Sequence, residues 1–166
     1  QRQSNNRNRE LMNPARFRIE ELLPHDFPMI LLKELVSIDS ASVTSSVIVS
    51  SDCILLDNKQ ELPPAVGIEW MAQTVAAHAG YLALANNKQV KIGYLLGTRK
   101  YRNYKTSYKS GEQFTITANE VFRGNGMGVF SCSVFQNESV VAEATINTFQ
   151  PDSNDSVLEP TGATSE

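Results

Sequence analysis

The sequence predicts an α+β fold, a curved antiparallel sheet wrapped around one long central helix. Three observations predict it. Residues 65–85 form one apolar segment dense in Ala, Met, Leu and Trp; the flanking segments alternate apolar and polar residues with period two; and turn-forming residues separate those segments. The apolar segment would make a helix roughly 30 Å long at 1.5 Å per residue. A helix apolar on nearly every side belongs in an interior.

The elements follow in order. A short segment, 17–23, precedes the turn-prone Pro24-His25-Asp26-Phe27-Pro28, and the apolar run 29–38 then reads as a buried strand broken by Asp39-Ser40. Val43, Ser45, Val47 and Val49 recur with period two, the returning arm of a hairpin. At Pro63-Pro64 the pattern changes to the helix, whose start the prolines mark. Its small residues Ala72, Ala76, Ala77, Ala79, Gly80 and Ala83 let neighbouring backbone approach from several directions. Segments 91–99 and 113–123 read as strands, and Gly124-Asn125-Gly126 suits a turn at positive φ. Two more strands, 127–135 and 140–149, meet at Asn137-Glu138, with Val140, Ala142, Ala144 and Ile146 on one face. Strands, one long buried helix, then an antiparallel meander is the order of the hotdog fold.

The chain of 166 residues suits one domain, and 41% hydrophobic with 20% charged residues excludes a wholly disordered, coiled-coil or collagenous protein. Residues 1–15 and 151–166 are polar and lack apolar periodicity, which leaves 16–150 as the folded domain. A net charge of -3 argues against a nucleic-acid partner. The two cysteines, Cys53 and Cys132, lack the close spacing of a zinc or redox pair and read as small buried hydrophobes. With no apolar run of about 18 residues and no signal-peptide pattern, the expectation is a cytoplasmic protein with no membrane partner.

The helix holds one carboxylate, Glu69, among Val66, Ile68, Trp70 and Met71. Burial there would favour the protonated form that a general acid needs. The competing reading is a first-turn glutamate favoured by the helix dipole and facing water. Of the two histidines, His78 lies nine residues beyond Glu69, on the opposite side of the helix, and reads as structural. His25, in a rigid proline-flanked loop, is the candidate base; the alternative is a loop histidine that hydrogen-bonds backbone. Gln73, one turn beyond Glu69, either orients the carboxyl group or is satisfied by a strand. The helix-start amides at Ala65 and Val66 are candidates to polarise a thioester carbonyl. Trp70 is a candidate contact for an aromatic acyl chain, or equally a core residue. The run from Arg99 through Lys100, Arg102 and Lys105 to Lys109 carries five bases and no acid, either a docking site for an acidic acyl carrier or CoA phosphates, or a solvated loop.

Leu22-Leu23-Pro24-His25-Asp26-Phe27-Pro28-Met29-Ile30-Leu31-Leu32, followed by Ile68-Glu69-Trp70-Met71-Ala72-Gln73, resembles the β-hydroxyacyl-acyl carrier protein dehydratases of fatty acid synthesis. With Gly93-Tyr94-Leu95-Leu96-Gly97-Thr98-Arg99 and Asn147-Thr148-Phe149-Gln150-Pro151, the chain is most similar to the dehydratase-like branch linked to aryl polyene pigment clusters. The resemblance implies elimination of water from a 3-hydroxyacyl thioester on acyl carrier protein, or on CoA, giving a trans-2-enoyl thioester with no metal or other cofactor. It also implies a homodimer, or a heteromer with a second hotdog dehydratase, and an acyl chain lying along the helix. Glu69 matches the family's helix carboxylate. Two positions depart from the pattern: Leu55 stands where the family keeps its catalytic histidine, and Pro64 where a glycine amide meets the substrate carbonyl. The leading expectation is a dehydratase with Glu69 as acid and His25 as base. The alternatives are a hotdog thioesterase, in which one carboxylate activates water, and a non-catalytic partner subunit of a dehydratase heteromer.

Overall fold

Period-two alternation makes most of the long strands one-sided, and the apolar sides close on a single helix. In the computed structural model, which describes residues 9–151, that helix is α2, Val66–Ala85, and a shorter helix α1, Ile19–Leu22, packs against it. The strands are β1, Glu34–Ile38; β2, Ser42–Ile48; β3, Glu61–Leu62; β4, Tyr94–Asn103; β5, Tyr108–Lys109; β6, Gln113–Gly124; β7, Met127–Gln136; and β8, Ser139–Phe149. Six of them form one antiparallel sheet in the order β1-β2-β6-β7-β8-β4, while β3 pairs with β5. The sheet wraps around α2 in the expected hotdog arrangement.

Local chemistry accounts for the turns. Between β1 and β2, Asp39 Oδ1 accepts from the amides of Ala41 and Ser42, each at 2.8 Å, and Oδ2 from the Ser42 hydroxyl at 2.6 Å. Partial burial opposes the charge on Asp39, but these bonds outweigh it and hold the carboxyl below its ordinary pKa. Between β6 and β7, Asn125 and Gly126 take φ of 51° and 73°, the paired left-handed conformation of a two-residue hairpin. On the core side of α2, Trp70 packs on Tyr108 and Phe114 with ring centroids 4.7 and 5.1 Å away. His78 is fully buried, with Nε2 2.9 Å from the Asp39 carbonyl, and burial lowers its pKa. At Gly80 the chain leaving α1 crosses the helix so closely that a Cβ would lie 2.0 Å from the Leu22 carbonyl oxygen.

Four sequence expectations need correction. Residues 29–33 are not strand; the ladder resumes with the Lys33 amide on the Ser46 carbonyl and β1 starts at Glu34. The strand expected at 91–99 starts at Tyr94 and runs to Asn103, so Lys100 and Arg102 join Arg99 in that strand and the solvated-loop alternative is corrected there. β8 pairs with β4 as far as Ala142↔Asn103, and an irregularity with Lys100 at φ 55° accommodates the extra residues. Val140 is 38% exposed while Val141 is buried, because the register slips between Val134↔Ala142 and Phe135↔Val140. The packed region also begins before residue 16: the Met12 amide donates to the Ile38 carbonyl and the Tyr81 hydroxyl to the Asn13 carbonyl. Residues 1–8 and 152–166 of the expected polar ends lie outside the described residues.

Cys53 is half-buried and Cys132 buried, both free, and burial pushes the Cys132 thiol up to about 12. Among the described residues no helix is long and apolar enough to cross a membrane.

Candidate active site

One side of α2 faces the sheet across a cavity instead of packing on it. Glu69, in the first turn, stands on this side with Ala72, Ala76 and Ala79, at helical spacing that places the four in one stripe. Gln73, one turn on and fully buried, donates from Nε2 to Glu69 Oε1 at 2.9 Å and thereby orients the carboxyl group. The loop between α1 and β1 brings His25 against the same oxygen, with Nε2 3.8 Å from Glu69 Oε1. Nδ1 of His25 is buried without a hydrogen-bond partner among the described residues, so Nε2 is the nitrogen that faces the carboxylate. At 3.8 Å the two groups are an ion-pair distance apart and too far for a direct hydrogen bond. The expected buried carboxylate is corrected: 39% of the Glu69 side chain is exposed, because its side of the helix opens onto a cavity.

That cavity encloses about 370 Å³, within the range of small-molecule sites. His25, Pro24 and Glu69 border it together with the alanine stripe, which extends roughly 15 Å from Glu69 to Ala79 at 1.5 Å per residue. Tyr94 and Leu95 of β4, Met127 and Phe130 of β7, and Thr148 and Phe149 of β8 form the facing wall, and the Asn125-Gly126 turn completes it. Lys91 and Arg123 add cationic groups to the lining; Arg123 is paired with Glu120 at 2.5 Å. A titratable pair beside an apolar slot can exchange protons with a reacting group while the slot excludes water from the rest of a chain.

The other candidates sit elsewhere. Trp70 is 1% exposed and packed between aromatic rings of the core, so the expectation that it contacts an acyl chain is corrected. The Val66 amide already donates to the Pro63 carbonyl at 3.1 Å, which removes it as a free donor; Ala65 is the exposed residue at the helix start, and neither borders the cavity. Arg99, Lys100 and Arg102 are exposed on β4. Lys105 is not available for docking: its Nζ lies 3.2 Å from Glu112 and 2.9 Å from the Gln136 side-chain oxygen, above the Phe114 ring. Among the described residues no group of three or more His, Cys, Asp or Glu is placed to hold a metal ion. The facing wall escaped sequence reasoning, although Ala72, Ala76 and Ala79, at i, i+4 and i+7, carried a usable signal.

The family model ApeP-like, for ApeP dehydratase, matches residues 17–159. Among solved structures, the dehydratase heterocomplex ApeI:P from Xenorhabdus doucetiae is similar at 26% identity and a TM-score of 0.79, over 84% of this chain and 94% of that one. The PaaI protein of the Escherichia coli phenylacetic acid degradation operon aligns at 15% identity and a TM-score of 0.53, covering 69% of this chain and 80% of that one. A hypothetical thioesterase with coenzyme A from Streptococcus pneumoniae aligns at 17% identity and a TM-score of 0.55, covering 70% and 84%. At such identities the last two share the fold alone. No curated protein matches the chain by sequence.

Proposed function

The chain belongs to the ApeP-like dehydratase family, and on that premise we propose that it removes water from 3-hydroxyacyl thioesters carried on an acyl carrier protein, leaving trans-2-enoyl thioesters. The observation that carries this reading is the meeting of His25 Nε2 and Glu69 Oε1, 3.8 Å apart, beside an apolar cavity along α2. The acyl chain lies along the alanine stripe with C2 and C3 between the two side chains. His25 takes the proton from C2, the C2=C3 bond forms as the C3–O bond breaks, and protonated Glu69 supplies the proton with which the hydroxyl departs as water. The elimination leaves His25 protonated and Glu69 ionised. Transfer of that proton back to the carboxylate resets the pair. No metal or redox group is needed in this scheme, since no electrons leave the substrate.

The carrier approaches with its acidic surface toward Arg99, Lys100 and Arg102, the exposed bases of β4. The chain works within a heteromer with a second hotdog dehydratase subunit. Two features support this. β4 is an outer strand of the sheet and exposes Tyr94, Leu95 and Leu96, with relative accessibilities of 50%, 45% and 54%; an edge of that kind is normally covered. Leu55 and Pro64 replace the histidine and glycine expected before the helix, so a partner able to supply them would broaden the chemistry. The same departures favour a second reading, in which the chain is the non-catalytic subunit of the pair.

Intact-mass measurement of a 3-hydroxyacyl carrier protein incubated with the purified chain tests the proposal. Loss of one water supports it. Loss of the whole acyl group makes the chain a thioesterase, and loss of water that needs a second dehydratase subunit and survives Glu69→Gln in this chain supports the non-catalytic reading.

A further inference from the structure

We propose that Gln73 is the positioning residue that sets the spacing of His25 and Glu69, by pairing the loop that carries the histidine to the helix that carries the carboxylate. The inference rests on the dehydratase reading for its kinetic consequence and on hydrogen bonds alone for its structural one. Gln73 is fully buried and does not border the cavity, so it touches neither an acyl chain nor the reacting atoms. Its side-chain oxygen accepts from the Leu31 amide at 2.9 Å, and Nε2 donates to the Met29 carbonyl at 2.8 Å and to Glu69 Oε1 at 2.9 Å.

The pattern on the loop is that of a strand partner. In a parallel β ladder one residue donates to a carbonyl and accepts from an amide two residues further along its neighbour, and the Met29 carbonyl and Leu31 amide are such positions. The side-chain amide of Gln73 therefore takes the place of backbone pairing where 29–33 has left the sheet. Among the described residues these are the hydrogen bonds that tie 24–32 to another element; the Met29 amide bonds within the loop, to the Asp26 carbonyl, and the sheet resumes only at Lys33. Buried Leu23 and Leu32 fix the two ends of the loop, and Gln73 fixes its middle. Its remaining N–H engages the same carboxylate oxygen that faces His25 Nε2. With Oε1 committed as an acceptor, a proton on Glu69 resides on Oε2. One amide thus sets the path of the base and the orientation of the acid together.

Gln73→Met removes all three bonds at similar volume, and Gln73→Glu keeps the acceptor for Leu31 but donates only when its new carboxyl is protonated. In Gln73→Met, hydrogen exchange at the Leu31 amide is expected to accelerate at least about tenfold while the sheet amides keep their protection. Its kcat is expected to fall about 100-fold, with KM changed by less than about threefold, because geometry and not chain binding is lost. In Gln73→Glu, activity is expected to recover as the pH is lowered, in contrast to the wild type. Unchanged exchange at Leu31 in Gln73→Met overturns the proposal, as does faster exchange with an unchanged kcat. If Gln73→Met fails to fold, a Gln73→Glu profile that matches the wild type overturns it. A wild-type chain and heteromer that dehydrate nothing overturn the dehydratase reading instead, and Leu31 exchange then decides whether Gln73 holds the loop.

Discussion

The two sides of helix α2 have the same backbone and nearly the same apolar composition, yet they do different work. On the packed side, Trp70, Met71 and Tyr81 are at most 1% exposed, with Trp70 against Tyr108 and Phe114 and Tyr81 edge-on to Phe17. On the other, Ala72, Ala76 and Ala79 end in a methyl group each and leave a cavity beside Glu69. Large residues on one side generate cohesion, and small ones on the other preserve space. The difference teaches that a helix apolar all round can still be asymmetric, with the asymmetry residing in side-chain volume rather than in polarity.

Substitutions matched across the two sides sharpen that comparison. The largest expected effect is catalytic: Glu69→Gln on the open side should lower the dehydration rate by about 10²–10⁴-fold, the usual contribution of a general acid. Urea denaturation should meanwhile move by no more than about 0.5 kcal/mol, because the carboxylate is partly exposed. On the packed side Trp70→Ala should remove about 3–5 kcal/mol of stability in the same denaturation assay, through the cavity it leaves among Tyr108 and Phe114. Neighbouring alanines give the most direct contrast. Ala77→Leu, in the packed core, should cost about 1–3 kcal/mol by overpacking, whereas Ala76→Leu should leave the melting temperature nearly unmoved and raise KM selectively for longer acyl chains. Equal loss of stability in both alanine variants would erase the asymmetry.

The smallest effect is in pH dependence. Burial lowers the pKa of His78 below the ordinary 6.5, so the unfolded chain binds the proton more readily than the folded one. Stability from this group is therefore complete above about pH 6.5 and declines as the pH falls toward the depressed folded value. Thermal melts between pH 7.5 and pH 5 should show that decline, and His78→Gln should flatten it.

How much of this was legible follows from the kind of signal each part carries. Helix α2 and the hairpin turns at Asp39, Asn125-Gly126 and Asn137 were readable, because continuous apolarity, a turn-capping aspartate and left-handed turn residues are local properties. The run 29–38 was misread in its first half, since an apolar segment without alternation looks the same whether backbone or a glutamine side chain pairs with it. The sequence ends the strand at Arg99 and leaves Lys100 and Arg102 open between a docking site and a solvated loop, because an outer strand with charged residues lacks a clear period. Glu69 was expected to be buried because sequence reports how apolar the helix is, not where the sheet stands off from it. The wall of the cavity comes from residues 91–95, 123–130 and 148–150, and only strand register brings those segments together.

Gly80 carries a further consequence. It lies eleven residues beyond Glu69, about 16 Å along the helix at 1.5 Å per residue, and contributes no functional group, yet the backbone leading to His25 rests directly on it. In a random-mutagenesis screen scored by product formation, changes at Gly80 would fall in the same null class as changes at Glu69. A genetic map of this protein drawn from activity alone would therefore mark a hinge of chain crossing as though it were chemistry.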